Sequence, residues 1–143
     1  MTTHLVFTYT EPDLLSMLDE LRRLEPIFHT AEFGTTPADF QRRMSSGYWE
    51  VGASGRRYSR DFILRNFEQT PPIDAHAAGW KTTDHALQRL GPQTYLLTYN
   101  LQQGPRFTRR ATIWQDSPEG WLVVYHQGTI VSANEDDVAP PQS

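Results

Sequence analysis

An arginine and a histidine near the C-terminal end of the chain, Arg110 and His126, have the side chains that point most directly to chemistry. A guanidinium can bind a carboxylate or stabilise the negative charge of a developing enolate. An imidazole can give or take a proton near neutral pH. Both residues lie in runs typical of β-strands, where a buried polar side chain needs a partner. Two such side chains on apolar strands therefore indicate a pocket.

The strands that carry these two residues are predicted to form a hairpin. Arg106–Gln115 and Trp121–Gly128 are rich in β-branched and aromatic residues, and the polar loop between them, Asp116–Gly120, contains Pro and Gly. Pairing Gln115 with Trp121 sets three further cross-strand pairs: Trp114 with Leu122, Thr112 with Val124, and Arg110 with His126. Since cross-strand partners share a face, one face is predicted to carry Arg110, Thr112, Trp114 and His126.

A buried arginine also requires a carboxylate nearby, because an unpaired buried charge is very costly. Glu50, in the middle of a predicted strand, is the candidate partner. Together Glu50, Arg110 and His126 could remove a proton next to a carbonyl and stabilise the resulting enolate. Two structural interpretations stay open. The Glu50–Arg110 pair could be a plain ion pair, and His126 could simply satisfy the core with a hydrogen bond.

Three further residues are predicted to contact a ligand: Trp114, Thr112 and Tyr99. Tyr99 shares the face of Arg110 only if the loop Gln103–Pro105 sets the odd register, and with a three-residue loop Thr98 takes that place. No metal or other cofactor is predicted, because the five histidines show no paired spacing with carboxylates.

Composition limits the class of protein. The 143 residues are predicted to form one domain, 1–131, followed by a disordered acidic tail, 132–143. A formal charge of −4 disfavours nucleic-acid binding. There is no cysteine, no apolar run long enough for a membrane span and no pattern of a secretory signal. These features predict a cytoplasmic protein that binds neither nucleic acid nor membrane.

Helical patterns dominate the N-terminal half. Thr10 is the predicted cap of a first helix, whose buried stripe has helical spacing and consists of Leu14, Leu18, Leu21 and Leu24. Thr36 followed by Pro37 predicts the start of a second helix, which has Met44 on its apolar face and ends at Ser46–Gly47.

A third helix and a set of strands complete the predicted fold. Ser59 is expected to cap a helix over Arg60–Glu68 that buries Phe62. The predicted strands before the hairpin are Tyr48–Val51, Ala75–Lys81, Thr82–Leu90 and Tyr95–Leu101, of which the second and third are either one long bent strand or two shorter ones. This order indicates the α+β class, with three N-terminal helices packed on a curved, mainly antiparallel sheet of four to six strands.

The last predicted strand is apolar on both faces. Alternation places Trp121, Val123 and Tyr125 on one face and Leu122 and Val124 on the other. The helices can cover only one of these faces, so the second requires another cover. A homodimer through the sheet face is the predicted arrangement.

Six segments in this order resemble the nuclear transport factor 2-like superfamily, and most closely its branch known as domain of unknown function family 4440. The matching segments lie between about residues 10 and 130 and are Tyr48–Arg56, Tyr58–Asp61, Leu90–Pro92, Leu97–Tyr99, Arg110–Trp114 and Trp121–Thr129. The segment Ile73–Lys81 departs from the family pattern. The resemblance implies a cone-shaped fold with a pocket between helices and sheet, and often a homodimer, but no particular reaction.

Two functions of different classes follow. The first is a pocket for a small, partly apolar organic molecule, with isomerase- or lyase-like acid–base chemistry by His126, Glu50 and Arg110. The second is a non-catalytic dimerisation module whose cavity is filled by its own side chains, for example Trp114 and Phe62. The volume of the pocket distinguishes them.

Overall fold

The structure is a computed structural model that describes residues 7–25, 34, 36–69, 77–132 and 137–138. In this part of the chain the helices are α1 (Leu15–Leu24), α2 (Pro37–Arg43) and α3 (Arg60–Gln69), and a 3-10 turn at Pro12–Leu14 precedes α1. The strands are β1 (Met44–Val51), β2 (Arg57–Ser59), β3 (Lys81–Gly91), β4 (Thr94–Gln103), β5 (Arg106–Ser117) and β6 (Gly120–Ile130). The disorder predicted for 132–143 falls almost entirely on residues outside those described.

Two of the three predicted helix starts are confirmed by their hydrogen bonds. Thr36 Oγ1 accepts from the Asp39 N–H at 3.1 Å, and Asp39 Oδ2 accepts from the Thr36 N–H at 3.2 Å, which is a capping box. Ser59 Oγ accepts from the Phe62 N–H at 3.1 Å. The cap predicted at Thr10 is wrong, because its hydroxyl accepts instead from the backbone N–H of Leu87 on β3.

Other local predictions are corrected by tertiary contacts. Ser46–Gly47 does not end a helix but lies inside β1, in an irregular stretch between Met44 and Trp49, the two residues on either side that pair with β6. Residues 77–79 form a turn where a strand was predicted, and residues 75–76 lie outside the described part of the chain. Phe62, predicted to be buried, is 50% exposed.

The six strands form one sheet in the order β2-β1-β6-β5-β4-β3. Strands β3 to β6 are an antiparallel meander, as predicted, whereas β1 joins the sheet parallel to β6. This parallel pairing sets Glu50 directly beside His126 in the register. The α+β architecture, with helices on a mainly antiparallel sheet, is therefore confirmed.

The predicted register of the last hairpin is wrong by one residue at the turn, where Gln115 pairs with Leu122 and not with Trp121, and by a second residue beyond a β-bulge. Trp114 pairs with Val123, and after an irregularity between Ile113 and Trp114 the strands continue with Ile113 opposite Tyr125 and Thr112 opposite His126. Arg110 is consequently opposite Gly128, not His126. The extra residue also moves Tyr125 to the face opposite Val123, because a bulge interrupts the alternation of side chains.

The two faces of the sheet differ in what covers them. The inner face packs against the leucine stripe of α1 and the preceding 3-10 turn, which is buried as predicted, and against Phe40 of α2. Its buried strand residues include Leu97, Trp114 and Val123. The outer face carries partly exposed apolar residues, among them Trp49, Leu96, Ile113 and Tyr125.

Candidate functional site

A fully buried carboxylate, Glu25, lies at the end of α1. The helix stops at Leu24 because Pro26 follows Glu25, and a residue before proline is disfavoured in helical conformation. Glu25 adopts φ −54° and ψ 119°. Sequence reasoning missed this residue, although a signal existed: position 25 continues the spacing of the buried stripe at Leu18 and Leu21. A carboxylate on an apolar helix face requires polar partners.

Those partners come from β4 and β5. The hydroxyls of Thr112 and Tyr99 donate to Glu25 Oε1 at 2.5 and 3.2 Å, and Trp114 Nε1–H donates to Oε2 at 3.3 Å. Hydrogen bonds to the ionised form are what allow a carboxylate to remain charged in the interior. Burial, followed by the charge of Glu25, raises the pKa of Tyr99 well above its ordinary value, so its hydroxyl keeps the proton that it donates.

His126 is also buried, and its neighbours define its tautomer. Thr112 Oγ1 lies 2.7 Å from His126 Nδ1, and because its single proton is donated to Glu25, the hydroxyl accepts from Nδ1–H. Arg110 Nη1 lies 3.4 Å from His126 Nε2. A guanidinium can only donate, so Nε2 is the acceptor. The imidazole is therefore neutral and protonated at Nδ1, which also lies 3.5 Å from Glu25 Oε1.

Arg110 is held at three points. Its Nε–H donates to Thr108 Oγ1 at 2.9 Å, its Nη1–H donates to His126, and its guanidinium lies over Gly128. Burial lowers the pKa of Arg110, an effect opposed by the carboxylates of Glu50 and Glu25. Arginine nevertheless stays charged in proteins. The predicted meeting of Arg110 and His126 on one face is present, although the register that brings it about is different.

Glu50 forms a different contact from the one expected. Tyr48 Oη donates to Glu50 Oε1 at 2.8 Å, and within the described residues no ion pair closer than 4.0 Å joins Glu50 to Arg110. Burial, and then the charge of Glu50, raises the pKa of the Tyr48 phenol. Glu50 thus keeps most of its acceptor capacity free for another molecule.

Glu50, Arg110 and His126 line one open cavity of about 620 Å³ between the inner face of the sheet and helices α2 and α3. We call it the inner hollow. Its apolar walls are Phe40, Met44, Phe62, Ile63 and Val123, and its other polar residues are Tyr48, Ser54, Tyr58, Asn66 and Arg106. The volume is within the range of small-molecule sites.

The three residues predicted to bind a ligand do not line the inner hollow but surround Glu25. These residues, Trp114, Thr112 and Tyr99, are almost fully buried. Tyr99 does share the face of Arg110, since the two are cross-strand partners. In the described part of the chain, no group of three His, Asp or Glu residues is arranged to hold a metal ion.

Comparisons with known proteins identify the fold. No protein-family model matches the chain, and no curated protein matches it by sequence. Many solved structures match. A protein of unknown function from the DUF3225 family of Pectobacterium atrosepticum is 16% identical with a TM-score of 0.62, over 85% of this chain and 94% of that one.

Two other matches have functional descriptions. A proposed dehydratase of the NTF2-like family from Streptomyces avermitilis is 16% identical with a TM-score of 0.59, over 86% of this chain and 100% of that one. A proposed calcium/calmodulin-dependent kinase II association domain from Exiguobacterium sibiricum is 13% identical with a TM-score of 0.57, over 88% and 98%.

These likenesses show that the chain has the fold of the nuclear transport factor 2-like proteins, as the sequence resemblance implied. Identities this low establish the fold and not the activity. Because no family model matches, the narrower resemblance to family 4440 stays a prediction. None of the helices in the described residues has the length and apolar character that a membrane crossing requires.

Proposed function

We propose that this protein binds a small, partly apolar organic molecule in the inner hollow and performs isomerase- or lyase-like proton transfer there. The observation that carries the proposal is the placement of Glu50 and Arg110 on one cavity without an ion pair between them. Two opposite charges that are kept apart in a mostly apolar cavity leave room for a polar group of a ligand between them.

The chemistry assigns a role to each charge. A carboxylate oxygen of Glu50 takes a proton from a carbon next to the ligand's carbonyl, the C–H electrons form the C=C bond of an enolate, and the negative charge moves to the oxygen that faces Arg110. Return of the proton to another carbon gives an isomer, whereas loss of a leaving group gives elimination. His126 acts through Arg110, which it orients.

Ligand binding can be tested with a variant that fills the inner hollow. Asn66 lines the hollow from α3, whereas its neighbour Arg65 does not. A metabolite library is screened by thermal shift against the wild type, Asn66→Trp and the matched control Arg65→Trp. We expect hits that stabilise the wild type and R65W but not N66W. Hits that stabilise all three variants equally, or no hit, would contradict the proposal.

Proton transfer can be tested before any product is known. A hit with a C–H bond next to a carbonyl is incubated with the protein in D2O, and deuterium incorporation is followed by proton NMR. We expect exchange with the wild type and a loss of about a hundredfold or more in Glu50→Gln, with binding retained. Equal exchange by wild type and E50Q would remove Glu50 from this role.

A second candidate function, association through the outer face, is favoured by one observation. Trp49 of β1 is 43% exposed and packs on Tyr125 of β6 with ring centroids 4.9 Å apart. Exposed aromatic residues on a sheet face are typical of interfaces. We infer that a second copy of the chain covers this face, and one structural neighbour is itself described as an association domain.

The oligomeric state tests this inference directly. Light scattering after size exclusion should give a dimer for the wild type and a monomer for Trp49→Glu. The control is Leu90→Glu, on the edge strand β3, where an apolar side chain is 51% exposed. This control should remain a dimer. A monomeric wild type would overturn the inference and leave the proposal for the inner hollow unaffected.

A further inference from the structure

We propose that the molecule bound in the inner hollow is a carboxylate, anchored by a two-point contact to Arg110 while its apolar body lies against the wall opposite. This assignment rests on the proposed function, since it requires the hollow to be a ligand site. It goes further by naming the chemical class: small organic monocarboxylates, whose charge faces Arg110 before any reaction begins.

The first support is an unused part of the Arg110 guanidinium. A guanidinium has five N–H donors. The Nε–H donates to Thr108 and one Nη1–H donates to His126, while Nη2 has no hydrogen-bond partner among the described residues. The side chain is 8% exposed. Nη2 is not among the described side-chain atoms that are buried without a partner, so this donor is accessible, and the planar fork of a guanidinium matches the two oxygens of a carboxylate.

The charges of the residues that line the hollow also favour a negatively charged ligand. Arg106 and Arg110 line it on the cationic side and Glu50 on the anionic side, so its lining has one excess positive charge. The two arginines lie on the same face of β5, four positions apart, and the charge of Arg106 contributes to lowering the pKa of Arg110.

The guanidinium of Arg110 lies against Gly128, where there is no side chain to displace it. A Cβ atom at Gly128 would lie 2.5 Å from Arg110 Nη1 and 2.8 Å from Cζ, closer than van der Waals contact allows. Because the atoms that it would meet belong to the end of a flexible side chain, alanine at this position would displace the guanidinium instead of unfolding the sheet. Gly128 is therefore a positioning residue for the anion site.

The test compares acids with their uncharged amides of the same shape. Binding of 3-phenylpropanoate and 3-phenylpropanamide, and of hexanoate and hexanamide, is measured by calorimetry and by NMR shifts. We expect the wild type to bind each acid at least tenfold more tightly than its amide, and Arg110→Gln to weaken acid binding by about tenfold to a hundredfold. The matched control is Arg109→Gln, on the same strand but on the outer face, with unchanged binding.

Two glycine variants test the anion site independently, in case R110Q fails to fold. Gly128→Ala should weaken binding of the acids and leave that of the amides unchanged. Gly47→Ala is the matched control, because a Cβ atom there meets nothing within 4 Å. Amides that bind as tightly as acids, with both insensitive to R110Q and G128A, would overturn the carboxylate assignment while a hollow that binds ligands still stands. Failure of both acids to bind at millimolar concentration would also overturn it.

Discussion

Two clusters of polar side chains lie next to each other on the inner face, and they differ in how fully their hydrogen-bonding groups are used. The closed cluster consists of Glu25, Tyr99, Thr112 and Trp114, and each of these side chains has a partner within the cluster. The open cluster consists of Glu50, Arg106 and Arg110, which line the inner hollow. His126 touches both, with Nδ1 toward the closed cluster and Nε2 toward the open one.

The difference separates structural polar groups from groups available to a ligand. A buried polar network in which every member is satisfied rigidifies one conformation. Polar groups that face a cavity with unused donors or acceptors can instead exchange solvent for a ligand. Burial alone does not make this distinction for Arg110, which is only 8% exposed and nevertheless lines the inner hollow.

The largest predicted effect is on the closed cluster. Glu25→Gln replaces an acceptor by a group with an N–H2 that faces the donors of Tyr99, Thr112 and Trp114. We expect a loss of about 3 kcal/mol in the free energy of unfolding, measured with urea, because the network loses its charge and gains opposed donors. A loss below about 1 kcal/mol would show that the closed cluster contributes little to stability.

A somewhat smaller effect is expected for the hydroxyl that links Glu25 to His126. Thr112→Val keeps the shape but removes both hydrogen bonds, so we expect a loss of about 2 kcal/mol. Because His126 Nδ1–H then loses its acceptor in Thr112, we also expect the nitrogen-15 shifts of the imidazole to change. The control is Thr98→Val on β4, which lies outside the closed cluster. Unchanged imidazole shifts in T112V would contradict the assigned tautomer.

The open cluster should tolerate a change of the same chemical kind. Glu50→Gln is the counterpart of E25Q, and we expect the free energy of unfolding to change by less than about 1 kcal/mol. Glu50 is only partly buried, and the hydrogen bond that it accepts from Tyr48 can also be made to an amide oxygen. Equal losses in E25Q and E50Q in urea unfolding would remove the contrast between the clusters.

A last effect depends on pH and concerns His85, which stacks on Tyr99 of the closed cluster with ring centroids 5.6 Å apart. Burial, and then the charge of Arg22, lowers the pKa of His85 to about 4, against the influence of Glu25 and Asp84. The unfolded chain therefore binds a proton near pH 6.5 that the folded chain does not bind until about pH 4. Stability should fall as the pH is lowered through this window and should not change from this group above it.

Two measurements check this prediction. An NMR titration should show His85 neutral at pH 5, and the urea midpoint should decrease less between pH 7 and pH 5 in His85→Gln than in the wild type. An ordinary titration of His85 near pH 6.5 would contradict the lowered pKa.

Patterns within a few residues determined much of the fold in advance. Thr36 and Ser59 were recognisable as caps, the leucine stripe of α1 has helical spacing, and the meander of four strands follows from its runs of β-branched and aromatic residues. These features depend on local backbone geometry and on side-chain periodicity, which the order of residues specifies directly. The shared face of Arg110 and Thr112 follows from the same periodicity, whereas His126 joins that face only because the turn and the bulge together shift the register of β6 by two residues.

Only the tertiary structure decided which carboxylate completes that face. Glu25 is 87 positions from Thr112, and no local pattern states that the end of α1 meets the middle of β5. The bulge beside Trp114 and the parallel pairing of β1 with β6 are likewise outcomes of packing over long distances. Contacts between segments far apart in the chain depend on how whole elements pack. The sequence alone therefore predicted most helices and strands, whereas tertiary packing determined which charged side chains lie together.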